Sequence, residues 1–421
     1  MGVINVAELR PEMVLAEDLK NIDGRFVLAK GTKLTSKHLR ILKMWGVIEA
    51  NIERVSRKDV EENTIAQLDP AVIQEVKNLT GEQFQHADLE HPAVRELYQL
   101  CCLRKAKARS AKTLRENLGP HDTRKKQVDS NRVSNDVVTT IDPHELIRND
   151  IKLPSLPTIY LQLSEVINKP NSSARDIAKV ISKDTSLSAR VLKIVNSAFY
   201  GFPSKIDTLS RAVTIVGTKQ LSTLALGVNI IRVFKRIPSR LIDMKSFWEH
   251  SLACGISARI IAGYKKIQNT ERLFVAGLLH DIGRLILYSN IPLHAKNALL
   301  SAKYGNTLLY KAEHEIMGLD HSKIGGILLK KWRLPISLEN SVKHHHSPHR
   351  SKDPLEPAII HLADIMTNAL GRGSSGERFV PPLSPDAWEC IGLSSNILSS
   401  TIRQTDRQIK EIIELFFQNE Q

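Results

Sequence analysis

A chain of 421 residues is long enough for two or three domains, and its 42% hydrophobic and 25% charged content is that of a globular protein. Aromatics at 5%, beside abundant Leu, Ile and Ala, argue against a β-sandwich, and no apolar run nears the ~20 residues that span a bilayer. The net charge of +14 is concentrated, with ten Lys or Arg against three acids between Arg104 and Arg132.

That basic stretch has no aromatics for base stacking and no DNA-binding motif. It reads as a solvated helix running into a linker, with nucleic acid as the lesser alternative. The opening MGVINVAELRPEM lacks a signal-peptide core, and position six lacks the Ser or Thr of a myristoylation site. Cys101, Cys102, Cys254 and Cys390 fit neither a disulfide framework nor a CxxC site. Together these point to a cytoplasmic protein without membrane attachment.

In chain order, residues 1–55 read as a small β-rich module. VLAEDL and RFVLAK are strand-like and are joined by NIDG, where Asp23-Gly24 suits a tight turn. Ser36 is placed to cap the helix KHLRILKMW, Gly46 to stop it, and a last strand falls in VIEANIERV. Residues 56–118 form a helical connector with apolar residues at helical spacing in AVIQEVKNL and AVRELYQLCCL. Residues 119–140, with Gly-Pro and RKKQVDSNR, read as a basic, polar linker.

From residue 141 to 421 the pattern is helical throughout. LPSLPTIYLQLSEVI opens on two prolines suited to a helix start. SARDIAKVISKDTSLSARVLKIVNSAFYG gives two helices capped by Ser173 and Asp184. The fold class is therefore mainly α, an all-helical domain behind an α+β module.

Polar residues recur in this helical block in a particular order. His250 opens one apolar helix, His280-Asp281 closes the next, and then come His321, His345-His346 and Asp364. Imidazole nitrogens and carboxylate oxygens suit divalent Fe, Mn, Zn or Ni, and this many ligands can hold two ions. His361 and Glu315 are candidates for orienting the ligands through hydrogen bonds. His314 and His349 read as solvated.

The order H…HD…H…HH…D resembles the HD phosphohydrolase superfamily. More narrowly, LPSLP, DIAKVISKDTSLSARVLKIVNSAFYG, FWEHSLACG, AGLLHDIGRLIL and EHEIMGLDHSKIGGILLKKWRLP resemble the HDOD domain, an HD-related output domain of bacterial signalling proteins. Residues 1–55 resemble the module that often precedes HD-GYP cyclic-di-GMP phosphodiesterase domains. The resemblance implies metal ligation by His250, His280, Asp281, His321, His345, His346 and Asp364. It also places Arg284 where HD-GYP enzymes carry a phosphate-holding lysine, and makes it a candidate phosphate contact. The doublet is followed by HHSPHRSKDPLEP, without the GYP tripeptide. Two readings follow: a signalling scaffold that binds a partner protein or a small nucleotide-like ligand, with or without metal, and an active metal-dependent phosphohydrolase of unnamed substrate.

Overall fold

The computed structural model describes residues 2–6, 9–20, 26–44, 47, 49–53, 69–116, 158–167, 173–231, 234, 237 and 241–417. The NIDG turn, Gly46, the 119–140 linker and LPSLP lie outside them. The chain forms two compact units, residues 1–80 with 99–124 and residues 81–98 with 125–421.

The first unit begins with strand β1 (Gly2–Asn5), followed by β2 (Leu19–Lys20), β3 (Phe26–Leu28), helix α1 (Ser36–Met44) and β4 (Glu49–Ile52). Strand β1 pairs antiparallel with β4, Gly2 opposite Ile52, and β2 pairs antiparallel with β3 across the predicted hairpin. Leu15, Leu34, Leu42 and Ile52 are wholly buried at the centre of this small core. The cap of α1 differs from the sequence reading. Thr35, not Ser36, accepts the His38 N–H (3.2 Å), because the helix begins at Ser36 itself. Helices α2 (Pro70–Gln83) and α3 (Pro92–Glu116) follow, and Glu75 and Arg109 form an ion pair between them.

The second unit is helical among the described residues. Its helices are α4 (Thr158–Ile167), α5 (Ala174–Ile181), α6 (Thr185–Val195), α7 (Leu209–Val216), α8 (Thr218–Ile230), α9 (Met244–Tyr264) and α10 (Thr270–Leu279). They continue as α11 (Ile282–Asn290), α12 (Pro292–Tyr304), α13 (Leu309–Met317), α14 (His321–Lys331) and α15 (Ile336–Lys343). The last are α16 (Leu355–Leu370), α17 (Pro385–Ile391) and α18 (Ile397–Phe417). The turn at residues 81–98 packs here as well: Gln83 donates to the Asn368 carbonyl (2.8 Å), and the Val380 N–H donates to that of Gln83 (2.8 Å).

Local chemistry explains the helix boundaries. Ser173 and Asp176 form a reciprocal capping box on α5, and Asp184 caps α6 by accepting the Leu187 N–H (2.9 Å). Between α6 and α7, Asn196 holds the NSAFYG turn by exchanging two 2.7 Å hydrogen bonds with the Ile206 backbone. Arg259 of α9 donates to the Phe199 carbonyl (2.8 Å) and lies over the rings of Phe199 and Tyr200. That block is thus a structural anchor.

Helix α9 is apolar around nearly its whole circumference, as a central helix must be, and packs against α10, α16 and α18. Two glycine contacts set how closely the central helices approach. A Cβ on Gly277 of α10 would sit 2.7 Å from Gly255 Cα of α9. A Cβ on Gly283 of α11 would run into the His321 carbonyl of α14, with Gly325 N 2.8 Å away. These approaches bring the starts and ends of four helices to one point.

Candidate metal centre

That point is where the sequence-predicted ligands meet. His250 comes from the second turn of α9, His280 and Asp281 from the break between α10 and α11, and His321 from the first residue of α14. His345 and His346 follow α15, and Asp364 lies mid-way along α16. Helix ends suit this task, because a residue there projects from a fixed element without having to continue it.

Three overlapping groups could each hold an ion, with ligand atoms within 4.8 Å of one another: His250, His280 and Asp364; His280, Asp281 and His345; and His321, His345 and His346. The Asp281 carboxylate faces both ends of the cluster. Its Oδ2 lies 3.2 Å from His280 Nε2 and 3.5 Å from His250 Nε2, while its Oδ1 lies 2.9 Å from His321 Nε2. Asp364 Oδ1 addresses only the first end, 3.2 Å from His250 Nε2 and 3.3 Å from His280 Nε2.

The hydrogen bonds on the far side of each ring show that the cluster fits a cation. A carbonyl only accepts, so His280 Nδ1 must carry a proton to bond the Gly277 carbonyl (2.7 Å), and His345 Nδ1 must do so for Val342 (2.7 Å). His321 Nδ1 likewise faces the Glu313 carboxylate (2.5 Å). In neutral rings the Nε2 lone pairs of His321 and His345 then face each other at 3.4 Å, with His250 Nε2 3.3 Å from the His280 lone pair and His346 Nε2 3.1 Å from that of His321. Acceptors packed against acceptors repel unless a metal ion or extra protons lie among them. The donor set of imidazole nitrogen and carboxylate oxygen is one that Fe, Mn, Zn or Ni accepts.

Without a metal, protons must supply that positive charge. Burial opposes a charge on His280, but Asp281 beside it raises its pKa well above the usual value. Burial and Arg284 oppose a charge on His321, yet Glu313 and Asp281 raise it to about 9. Burial, with His280 and His321 nearby, pushes His345 down to about 3. Burial also disfavours the Asp281 anion, and Arg284, His280 and His321 overcome this and hold the carboxyl well below the usual range.

A pH prediction follows from the raised histidines. Protonated His321 stabilises the metal-free fold fully below its unfolded pKa of about 6.5, and this contribution disappears as pH rises through about 9. Metal needs the neutral rings, so its hold tightens over the same range. The gain in Tm on adding metal to chelator-treated protein should therefore increase from pH 6.5 to 9, as read by thermal unfolding. A gain that shrinks with pH would contradict this assignment.

The sequence reading placed the supporting carboxylate one position pair away. Glu315 is exposed, whereas Glu313, one helical face round on α13, is 2% exposed and accepts from both the His321 backbone (3.0 Å) and its ring. His361 takes the expected supporting place: its Nδ1 donates to the His345 carbonyl (2.7 Å), and its Nε2 accepts the Ser384 N–H (3.1 Å). Asn368, not singled out from sequence, holds Asp364 Oδ1 (2.8 Å) from one turn further along α16. His314 and His349 are exposed, as read.

Arg284 lies inside the protein, 2% exposed. Its Nη1 donates to Asp281 Oδ2 (3.1 Å) and to Ser375 Oγ, and its Nε donates to Glu313 Oε1 (3.2 Å). The guanidinium thereby ties Asp281 of the cluster to Glu313, the hydrogen-bond partner of His321. The other donors of the site are equally enclosed, with His250, His280, His321 and His345 at 0% exposure. His346 alone of the histidines in the cluster is half-buried, and its ring stacks on Tyr310 (centroids 4.2 Å apart).

The HDOD domain family matches residues 153–348. This segment is an HDOD domain. The chain is 27% identical over 216 residues to an uncharacterized protein of Treponema pallidum (strain Nichols), covering 50% of this chain and 41% of that relative's length. Among solved structures, an HDOD domain protein of unknown function from Geobacter sulfurreducens superposes with a TM-score of 0.53 at 22% identity, covering 65% of this chain and 97% of the other. A candidate phosphohydrolase from Shewanella amazonensis SB2B gives 0.51 at 21% identity, covering 64% and 97%. A candidate signal transduction protein from Marinobacter aquaeolei VT8 gives 0.51 at 22% identity, covering 64% and 60%. At these identities the structural likeness establishes the HDOD fold. Among the described residues no helix is long and apolar enough to cross a membrane.

Proposed function

We propose that this protein is a cytoplasmic signalling protein whose HDOD domain is a binding and output scaffold built around a metal centre. The observation that carries this reading is the position of Arg284. The guanidinium next to the HD pair is 2% exposed and gives its Nη1 and Nε hydrogens to Asp281, Ser375 and Glu313, so it is engaged inside the protein. The enclosure of His250, His280, His321 and His345 supports the same reading, because a buried cluster ties together the helices that carry it. The absence of a GYP tripeptide after the doublet removes the basis for cyclic-di-GMP as substrate. The spacing of the four cysteines, which fits neither a disulfide framework nor a CxxC site, supports the cytoplasmic setting.

The second reading, a metal-dependent phosphohydrolase, is favoured by the half-buried His346 edge and by the full set of ligands. A divalent ion at these residues would supply Lewis acidity and lower the pKa of a bound water. His250, His280, Asp281 and Asp364 would hold it at one end, and His321, His345, His346 and Asp281 at the other.

The two readings separate in an assay of metal-loaded full-length protein with bis(p-nitrophenyl) phosphate. The scaffold reading expects release of nitrophenol no faster than from a His280→Ala variant. Metal-dependent turnover that disappears in His280→Ala would overturn it in favour of the hydrolase. Nucleic acid as partner of residues 104–132 has the weakest support, since that stretch joins charge to no stacking group.

A further inference from the structure

Away from the metal centre, helices α5 and α6 line an open groove of about 720 Å³. Helix α5 with its C-cap presents Arg175, Ala178, Lys179 and Ser182, and α6 presents Thr185, Ser188, Ala189 and Leu192. Both sets follow i, i+3, i+4, i+7, so each helix turns one complete stripe toward the groove. The start of α7 adds Leu209 and Ser210 to the lining.

The lining chemistry selects an occupant. It contains two cations and no acid. Arg175 and Lys179 are exposed, and neither side chain has an ion-pair partner among the described residues. The acids nearby in sequence, Asp176 and Asp184, are turned to the helix starts that they cap. The Ser182 and Ser188 hydroxyls donate to backbone carbonyls of their own segment (3.0 Å and 2.8 Å), so they are not free to donate to a neutral polar ligand. Ala178, Ala189, Leu192 and Leu209 supply an apolar floor, and the small side chains permit the 8–10 Å approach of a third helix axis. Small-molecule sites enclose most of their ligand, and this groove is open along its length.

We propose that this groove seats an acidic amphipathic helix of a partner protein, with carboxylates over Arg175 and Lys179 and small apolar side chains on the Ala178–Leu209 floor. This gives the scaffold reading its docking face and rests on that reading. The mode is a helix laid into a groove by anchors one turn apart, with charge selecting the partner.

The test uses the full-length protein and a fluorescein-labelled peptide of about 20 residues, long enough for several helical turns, built from Glu, Ala and Leu at amphipathic spacing. Anisotropy should show saturable binding, weakened about tenfold or more by Arg175→Glu with Lys179→Glu, since two attractions become repulsions. Ala189→Trp, which fills the groove without changing its charge, should weaken binding as well. The same charge change elsewhere, Lys296→Glu with Lys330→Glu, should leave it nearly unchanged. Lack of binding by the wild type, equal weakening by the two double variants, or displacement by duplex DNA as effective as by unlabelled peptide would overturn the site. Nitrophenol release measured on the same preparations separates the outcomes: turnover sinks the scaffold reading, whereas loss of peptide selectivity alone sinks only the groove.

Discussion

An Asp281→Asn protein is expected to purify with little or no metal and to lose about 3 kcal/mol of stability, the range seen when one partner of a buried ion pair is removed. Asp281 is the residue whose two oxygens face opposite ends of the cluster, Oδ2 toward His250 and His280 and Oδ1 toward His321. An amide of the same size turns one of those acceptors into a donor. It also leaves the buried Arg284 with Glu313 as its remaining carboxylate partner among the described residues. Asp364→Asn should be milder, because Asp364 addresses only His250 and His280. The expected pattern is near-zero metal for Asp281→Asn and partial metal for Asp364→Asn, read by elemental analysis, with stability from urea unfolding. Equal metal content in the two variants would mean that Asp281 does not join the two ends.

Gly283→Ala is the second large effect. The added methyl would meet the His321 carbonyl and lie 2.8 Å from Gly325 N, and backbone at both points cannot rotate away as a side chain could. Helices α11 and α14 must separate, at a cost of about 3 kcal/mol, the upper end for overpacking. Because α14 carries His321 at its first residue and Asp281 immediately precedes α11, the separation should also lower metal content. Gly263→Ala on α9 is the control. No atom beyond its chain neighbours and its own helix backbone lies within 4 Å of its added methyl, and alanine favours a helix over glycine by about 0.5–1 kcal/mol, so it should be neutral or stabilising. Thermal unfolding of the two variants tests this; similar Tm values would show that the α11–α14 contact can relax.

The helices of the second unit were legible because their apolar residues recur at helical spacing and their caps are local: Ser173 and Asp184 act where the sequence placed them. Strand β1 was harder to read, since four residues that pair with β4 nearly fifty positions away leave little periodicity of their own. At the site, the residues that the fold brings together could be picked out by type and order. Which atoms orient them could not, because that depends on packing between helices. Glu313 and Glu315 differ by two positions, yet on α13 this turns one toward His321 and the other to solvent. A helical-wheel comparison of Ala312 and Met317, both buried, with Glu313 would have favoured Glu313. Arg284 carried a clear sequence signal, but its charge said nothing about direction. Its engagement with Asp281, Glu313 and Ser375 depends on a residue ninety-one positions away.

The most direct test is anomalous X-ray scattering at the Fe, Mn, Zn and Ni edges from crystals of the full-length protein purified anaerobically with those metals supplied. The account predicts anomalous density among the Nε2 atoms of His250, His280, His321 and His345 and the carboxylate of Asp281. Crystals with no anomalous density there, and with His280 and His321 held instead by short hydrogen bonds to Asp281 and Asp364, would contradict it.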